Sequence, residues 1–106
     1  MIRVRFFEDS AGEPAGFRIE GHSGAGSSGN DIVCSAVSSA AYLTANTITD
    51  VIGADALVEV KDGFMLVRVS GRADGSCRAV LTGFKNHMDQ LREQYPGFIH
   101  ISNSEV

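Results

Sequence analysis

The 106-residue sequence has no tryptophan, two prolines, two cysteines and three histidines. Two cysteines, Cys34 and Cys77, cannot build a disulfide framework, and neither stands in a Cys-x-x-Cys pair. With only His22, His87 and His100 beside them, no zinc site of usual spacing is visible. The N-terminus "MIRVRFFEDS" lacks the apolar run and cleavage site of a secretory signal. No stretch reads as a membrane span either. The expected location is therefore cytoplasmic, with no membrane partner. Basic residues are also few: nine Lys and Arg stand against thirteen Asp and Glu, a formal charge of -4. Phosphate neutralisation needs a basic face, so nucleic acid is not the expected direct partner. A basic peptide or protein is compatible with this balance.

What is present fits one ordinary globular domain over residues 1–106, with 43% hydrophobic and 21% charged residues. A chain of this size buries a modest core, and association into oligomers is a common supplement.

The pattern of the chain alternates between two periods. "MIRVRFF" sets Ile2, Val4 and Phe6 against Arg3 and Arg5, the signature of a half-buried strand. "AGFRIEG" repeats it with Phe17 and Ile19 against Arg18 and Glu20, after a turn at "EDSAGEP". From Asp31 the period lengthens. Val33, Ala36, Val37, Ala40, Ala41, Thr44, Ile48, Val51 and Ile52 recur at helical steps up to Gly53, a suitable helix stop. "ALVEVKDGFMLVRVSG" is a hairpin around Asp62-Gly63. A second helix carries Cys77, Leu81, Phe84, Met88, Leu91 and Tyr95 on one stripe and stops at Pro96-Gly97. "FIHIS" closes the chain as a short strand. The expected fold is a two-layer α/β (α+β) sandwich of order ββαββαβ. Its five-stranded, mostly antiparallel sheet would hold both helices on one face. The other face, with Arg3, Arg5, Arg18, Glu20, Glu59, Lys61 and Arg68, would be wet.

The stretch "GHSGAGSSGNDIVCSAVSS" carries the chemistry. Gly24-Ala25-Gly26-Ser27-Ser28-Gly29 matches the dinucleotide pattern G-x-G-x-x-G, between a strand and a helix. Three features oppose that reading. Asp31 puts a carboxylate where the phosphate would sit, the chain is short for two mononucleotide-binding halves, and the strands form hairpins rather than βαβ units. No G-K-[ST] follows, so a P-loop is not supported. A plain flexible linker explains the glycines and serines but not the His22 and Cys34 that bracket them.

A thiol site accounts for more. Asn30 or Asp31 can cap the helix; with Asp31 as cap, Cys34 is its third residue. There the free amides and the positive helix end favour thiolate over thiol and can donate to an oxyanion. His22, leaving a strand, can return to the helix start as proton carrier, with Asp31 orienting its ring. Ser38, one turn beyond Cys34, can line the pocket or bond back to a carbonyl. The alternative is a non-catalytic protein-binding domain in which Cys34 is a small core residue. Cys77 fits its core stripe; His87 and His100 read as a helix flank and a sheet-face residue.

These residues resemble a known family. Gly21-His22 followed by "NDIVCSAVS" at Asn30 to Ser38 is similar to the signature of the ribosomal-processing cysteine protease family called Prp. Chain length and element order fit across essentially the whole chain. The resemblance implies a cysteine endopeptidase that removes an N-terminal extension from large-subunit ribosomal protein number twenty-seven. It implies Cys34 as nucleophile, His22 as acid and base, and Asp31 and Ser38 as further signature positions. It also implies a homodimer and no cofactor, and the alternative beside it is a non-catalytic ribosome-associated domain with a structural cysteine. The loop of Gly21, Ser23, Gly24, Gly26 and Gly29 would be a flap that closes over the peptide substrate.

Overall fold

The computed structural model describes residues 1–21, 32–71 and 73–106. Strands β1 (Ile2–Glu8) and β2 (Pro14–Glu20) form the first hairpin. Helix α1 (Ile32–Asn46) runs on into a π-helical segment, Thr47–Ile52. Strands β3 (Ala56–Lys61) and β4 (Phe64–Val69) form the second hairpin. Helix α2 (Gly75–Gln94) and strand β5 (Ile99–Glu105) complete the order ββαββαβ. The spatial strand order is β3-β4-β2-β1-β5. All neighbours are antiparallel except β1 and β5, which run parallel from Ile2↔Ile99 to Glu8↔Glu105.

Alternation decides which face each strand gives to the core. Ile2, Val4, Phe6, Phe17, Ile19, Met65 and Val67 are buried beneath the helices, while Arg3, Arg5 and Arg68 between them are exposed. Helix α1 contributes Val33, Val37, Ala41, Ala45 and Ile48 to the same core. Each Val or Ile so buried contributes about 1.5–3 kcal/mol. Helix α2 buries Cys77, Leu81, Phe84, Met88 and Leu91. Its Phe84 ring meets Phe17 at 4.4 Å and Phe6 at 5.7 Å between centroids, which ties α2 to the two central strands. The run Ile32–Ile52 is long and apolar enough to cross a membrane by length and composition. Here the buried side of that run lies on the sheet, as a core helix does.

Two elements differ from their expected form. Val51, on the expected apolar stripe of the first helix, is 79% exposed. The turn widens to π geometry from Thr47, so the angular step changes and Val51 rotates off the stripe. Three threonine hydroxyls around this change donate back to carbonyls four residues earlier. They are Thr44 to Ala40 at 2.8 Å, Thr47 to Leu43 at 2.6 Å and Thr49 to Ala45 at 3.1 Å. Such back-bonding competes with the helical ladder and bends helices. Gly53, at φ 75°, ends the segment as expected. Strand β5 continues past "FIHIS" to Glu105, through residues of low strand propensity. The ladder with β1 decides this, because Phe6, Phe7 and Glu8 offer partners to Asn103, Ser104 and Glu105.

Helix α2 starts at an N-cap. Asp74 accepts the Cys77 backbone N–H at 2.8 Å, which holds its carboxyl below the usual range. Burial, followed by the neighbouring Asp74, pushes the Cys77 thiol up. Asp74→Ala should lower Tm at neutral pH, whereas Asp74→Asn keeps a capping oxygen and should lower it less. Because the folded-state pKa of Asp74 is depressed, its charge stabilises the fold above the ordinary carboxylate range. That contribution is lost as pH falls through the lowered value. Thermal unfolding followed by circular dichroism should therefore show wild type and Asp74→Asn converging in acid.

Candidate active site

The site forms where the end of β2, the head of α1 and the β3–β4 turn converge. Gly21, just beyond β2, has φ 95°, a left-handed conformation. Its N–H donates to the Gly63 carbonyl at 2.9 Å, joining the end of the first hairpin to the turn of the second. A Cβ at Gly21 would stand 2.5 Å from the Met1 carbonyl oxygen, so only glycine fits here without a backbone shift. The residue that leads into His22 is thus pinned from two sides.

Opposite stands α1. Ile32 is its first described residue, and Cys34 is the third. Val33 beside it is 1% exposed and locks that turn into the core. Cys34 itself is half-buried and packs against the core edge, while Ser38, one turn on, is exposed. Tyr42 stands a further turn along, 46% exposed. Steps of four put Cys34, Ser38 and Tyr42 on one side of the helix, facing a cleft of about 490 Å³. Ile2, Ile19 and Met65 also line it, and Val60 to Phe64 line it from the second hairpin. The cleft is apolar within, with a thiol and a hydroxyl along one wall and Lys61 and Asp62 across from them.

The structure brings together Gly21, Cys34 and Ser38 of the expected site residues. His22, Ser23, Gly24, Gly26, Gly29 and Asp31 lie outside the described residues. Cys77 is fully buried, as its stripe implied. His87 is an exposed flank of α2, and His100 lies on the open face of the sheet. Neither cysteine is in a disulfide, and no group of residues that could hold a metal ion occurs among the described residues. Sequence reasoning missed Tyr42, Val60, Asp62 and Met65 as cleft residues. Tyr42 could have been found from the four-residue spacing; the other three come from a hairpin whose position no local pattern gives.

The burial contrast predicts a labelling pattern. In native buffer iodoacetamide should modify Cys34 and leave Cys77 intact, and both should react in denaturant. Peptide mass mapping reads the sites; native labelling of Cys77 at the rate of Cys34 would contradict the packing of α2.

The comparisons with known proteins agree with this frame. The family model described as "Cysteine protease Prp" matches residues 1–100. The fold is that of the ribosomal processing protease Prp of S. aureus in complex with a covalently linked product peptide. The TM-score is 0.91 at 21% identity, covering 98% of this chain and 100% of that one. SMU.848 from Streptococcus mutans superposes with a TM-score of 0.84 at 24% identity, covering 100% of this chain and 96% of that one. No curated protein matches.

Proposed function

The chain belongs to the cysteine protease Prp family, and from that premise we propose that it removes the N-terminal extension of large-subunit ribosomal protein number twenty-seven. Cys34 is the nucleophile in this reading. One observation carries it: of the two cysteines, only Cys34 opens onto a cleft, and it does so in the first turn described for α1. The S. aureus Prp structures hold a covalently linked product peptide and a substrate peptide, which supports a peptide as the occupant of the corresponding cleft here.

The chemistry follows from the placement. The Cys34 thiolate attacks the scissile carbonyl, and the oxyanion is met by amide donors of the first helical turn. His22, bonded to the pinned Gly21, takes the thiol proton and delivers it to the leaving amine. A thioester to Cys34 remains. Water then adds with His22 as base, and the acid product leaves as the thiol reforms. Asp31 orients the imidazole, and Ser38 lines the wall beside the thiol. The loop through Ser23, Gly24, Gly26 and Gly29 closes over the bound peptide, so a matched substrate completes the site. Fixing each loop residue costs about 1–2 kcal/mol of backbone entropy, which only a well-fitting peptide offsets. The enzyme acts without a cofactor, as a cytoplasmic homodimer with one protease domain per chain.

Cys34→Ala should abolish cleavage of the ribosomal protein precursor, read as the mass of its N-terminus, while Cys77→Ala cleaves. His22→Ala should bind the precursor but process it roughly a hundredfold more slowly. Cleavage by Cys34→Ala at wild-type rate would reject the nucleophile. Asp31 separates two roles. A helix cap tolerates Asp31→Asn, whereas a carboxylate that steadies a charged imidazole does not. The expected outcome is an unchanged Tm with a clear fall in kcat.

A further inference from the structure

The face of the sheet away from the helices concentrates positive charge on an acidic protein. The outward positions of β1, β2, β3 and β4 include Arg3, Arg5, Arg18, Lys61 and Arg68. These are five of the nine Lys and Arg residues, and only two of the thirteen Asp and Glu, Glu20 and Glu59, share the face. The face therefore carries a net +3, and the rest of the chain -7. Register sets the pattern: Arg5 pairs across from Arg18, and Arg3 lies between Glu20 and His100. Arg3, Arg5, Arg18 and His100 surround a shallow depression of about 240 Å³, which Glu20 and Ser102 complete. Glu20 neutralises part of the charge through a 3.1 Å bond from Arg18, whose Nε is buried without a hydrogen-bond partner. At one end the half-buried Phe64 ring lies beneath Arg18 at 5.4 Å and Lys61 at 5.8 Å.

We propose that this open sheet face binds single-stranded RNA through its phosphate backbone. Four of its five cations are arginines, whose planar forks match phosphate oxygens. The face is a strand-built platform from which no helix or ribbon stands out among the described residues, a shape that does not enter the major groove of a duplex. Unpaired strands lie across such platforms, with phosphates on Arg and Lys and a base against an aromatic ring. Phe64, at the rim shared with the cleft, supplies that ring. A membrane surface is the weaker fit, since the depression holds no apolar side chain to insert. The depression of Arg3, Arg5, Arg18 and His100 shares no residue with the cleft that Cys34 lines, and the two surfaces meet only at Lys61 and Phe64.

The test is fluorescence anisotropy of a short labelled single-stranded RNA with the full chain, between about 0.05 and 0.2 M salt. Wild type should bind with an affinity that falls steeply with salt. Arg3→Thr/Arg5→Thr should weaken binding roughly tenfold or more and reduce the log–log salt slope by about 1.4, from two lost phosphate contacts on a single strand. Arg3→Lys/Arg5→Lys should retain most of the affinity and slope. Lys85→Ala/Arg92→Ala removes two cations from α2 and should change neither. Peptide cleavage by the threonine variant should equal wild type. Photocrosslinking of wild-type protein to RNA locates the contact without any variant, and the crosslinks should fall in β1, β2 and β5. Crosslinks confined to the helices, a threonine variant that binds like wild type, or phosphatidylserine vesicles bound where RNA is not would each overturn the proposal.

Discussion

The burial of one side of α1 on the inner face of the sheet is the constraint on which the rest depends. Val33, Val37, Ala41, Ala45 and Ile48 lie on that side, each 4% exposed or less. Small residues at two of these five positions let the helix backbone approach the strands closely. Rotation by one residue would take Val33 and Val37 out of the core and put Cys34 and Ser38 in their place. The hydrophobic penalty of several kcal/mol excludes that arrangement. Cys34 is therefore held at the edge of the core, neither sealed within it nor free of it, because its neighbour Val33 has no other place to go.

The cleft exists because the helices leave one end of the sheet uncovered. Strand β3 is the edge strand, and its Val58 and Val60, although on the helix side, remain 37% and 47% exposed. An uncovered edge is an aggregation hazard, and Glu59 and Lys61 supply the charges that blunt it. The gap between this edge and α1 is the cleft that Cys34 and Ser38 line. The same pleat that aims Val60 and Met65 into the gap aims Glu59 and Leu66 toward the other face, while Lys61 and Phe64, beside the turn, border both. One set of strands thus gives the sheet one surface that borders the cleft and another that carries the arginine depression.

That division also qualifies what net charge can say. A formal charge of -4 describes the chain as a whole. Folding separates it into a cationic sheet face and an anionic remainder, and a partner meets only one surface at a time. The alternation of Arg3, Arg5 and Arg18 with buried residues was visible in the sequence, but their alignment across neighbouring strands depends on the β1–β2 register.

The sequence by itself determined the order ββαββαβ, both hairpins, the helix stops at Gly53 and Pro96-Gly97, and the division of β1, β2 and β4 into wet and dry sides. Periodicity is a local property, and local chemistry reads it: alternation at every second residue, stripes at three and four, glycine where φ turns positive. It also set Cys34 apart by the Gly21-His22 pair upstream of it; helix position does not separate the two cysteines, since each stands third in its helix, and only burial in the fold does. Only the tertiary structure decided that β5 pairs parallel to β1 and extends to Glu105, since Asn103 and Ser104 become strand only when a partner ladder is offered. It alone brought the "KDGF" turn to Gly21, across more than forty residues, through a backbone bond that no side-chain pattern encodes. It alone turned Val51 outward, because the helix widens to π geometry from Thr47 and the angular step changes. Contacts between segments distant in the chain are set by which surfaces remain to be buried after local structure forms, and that remainder is a property of the whole fold.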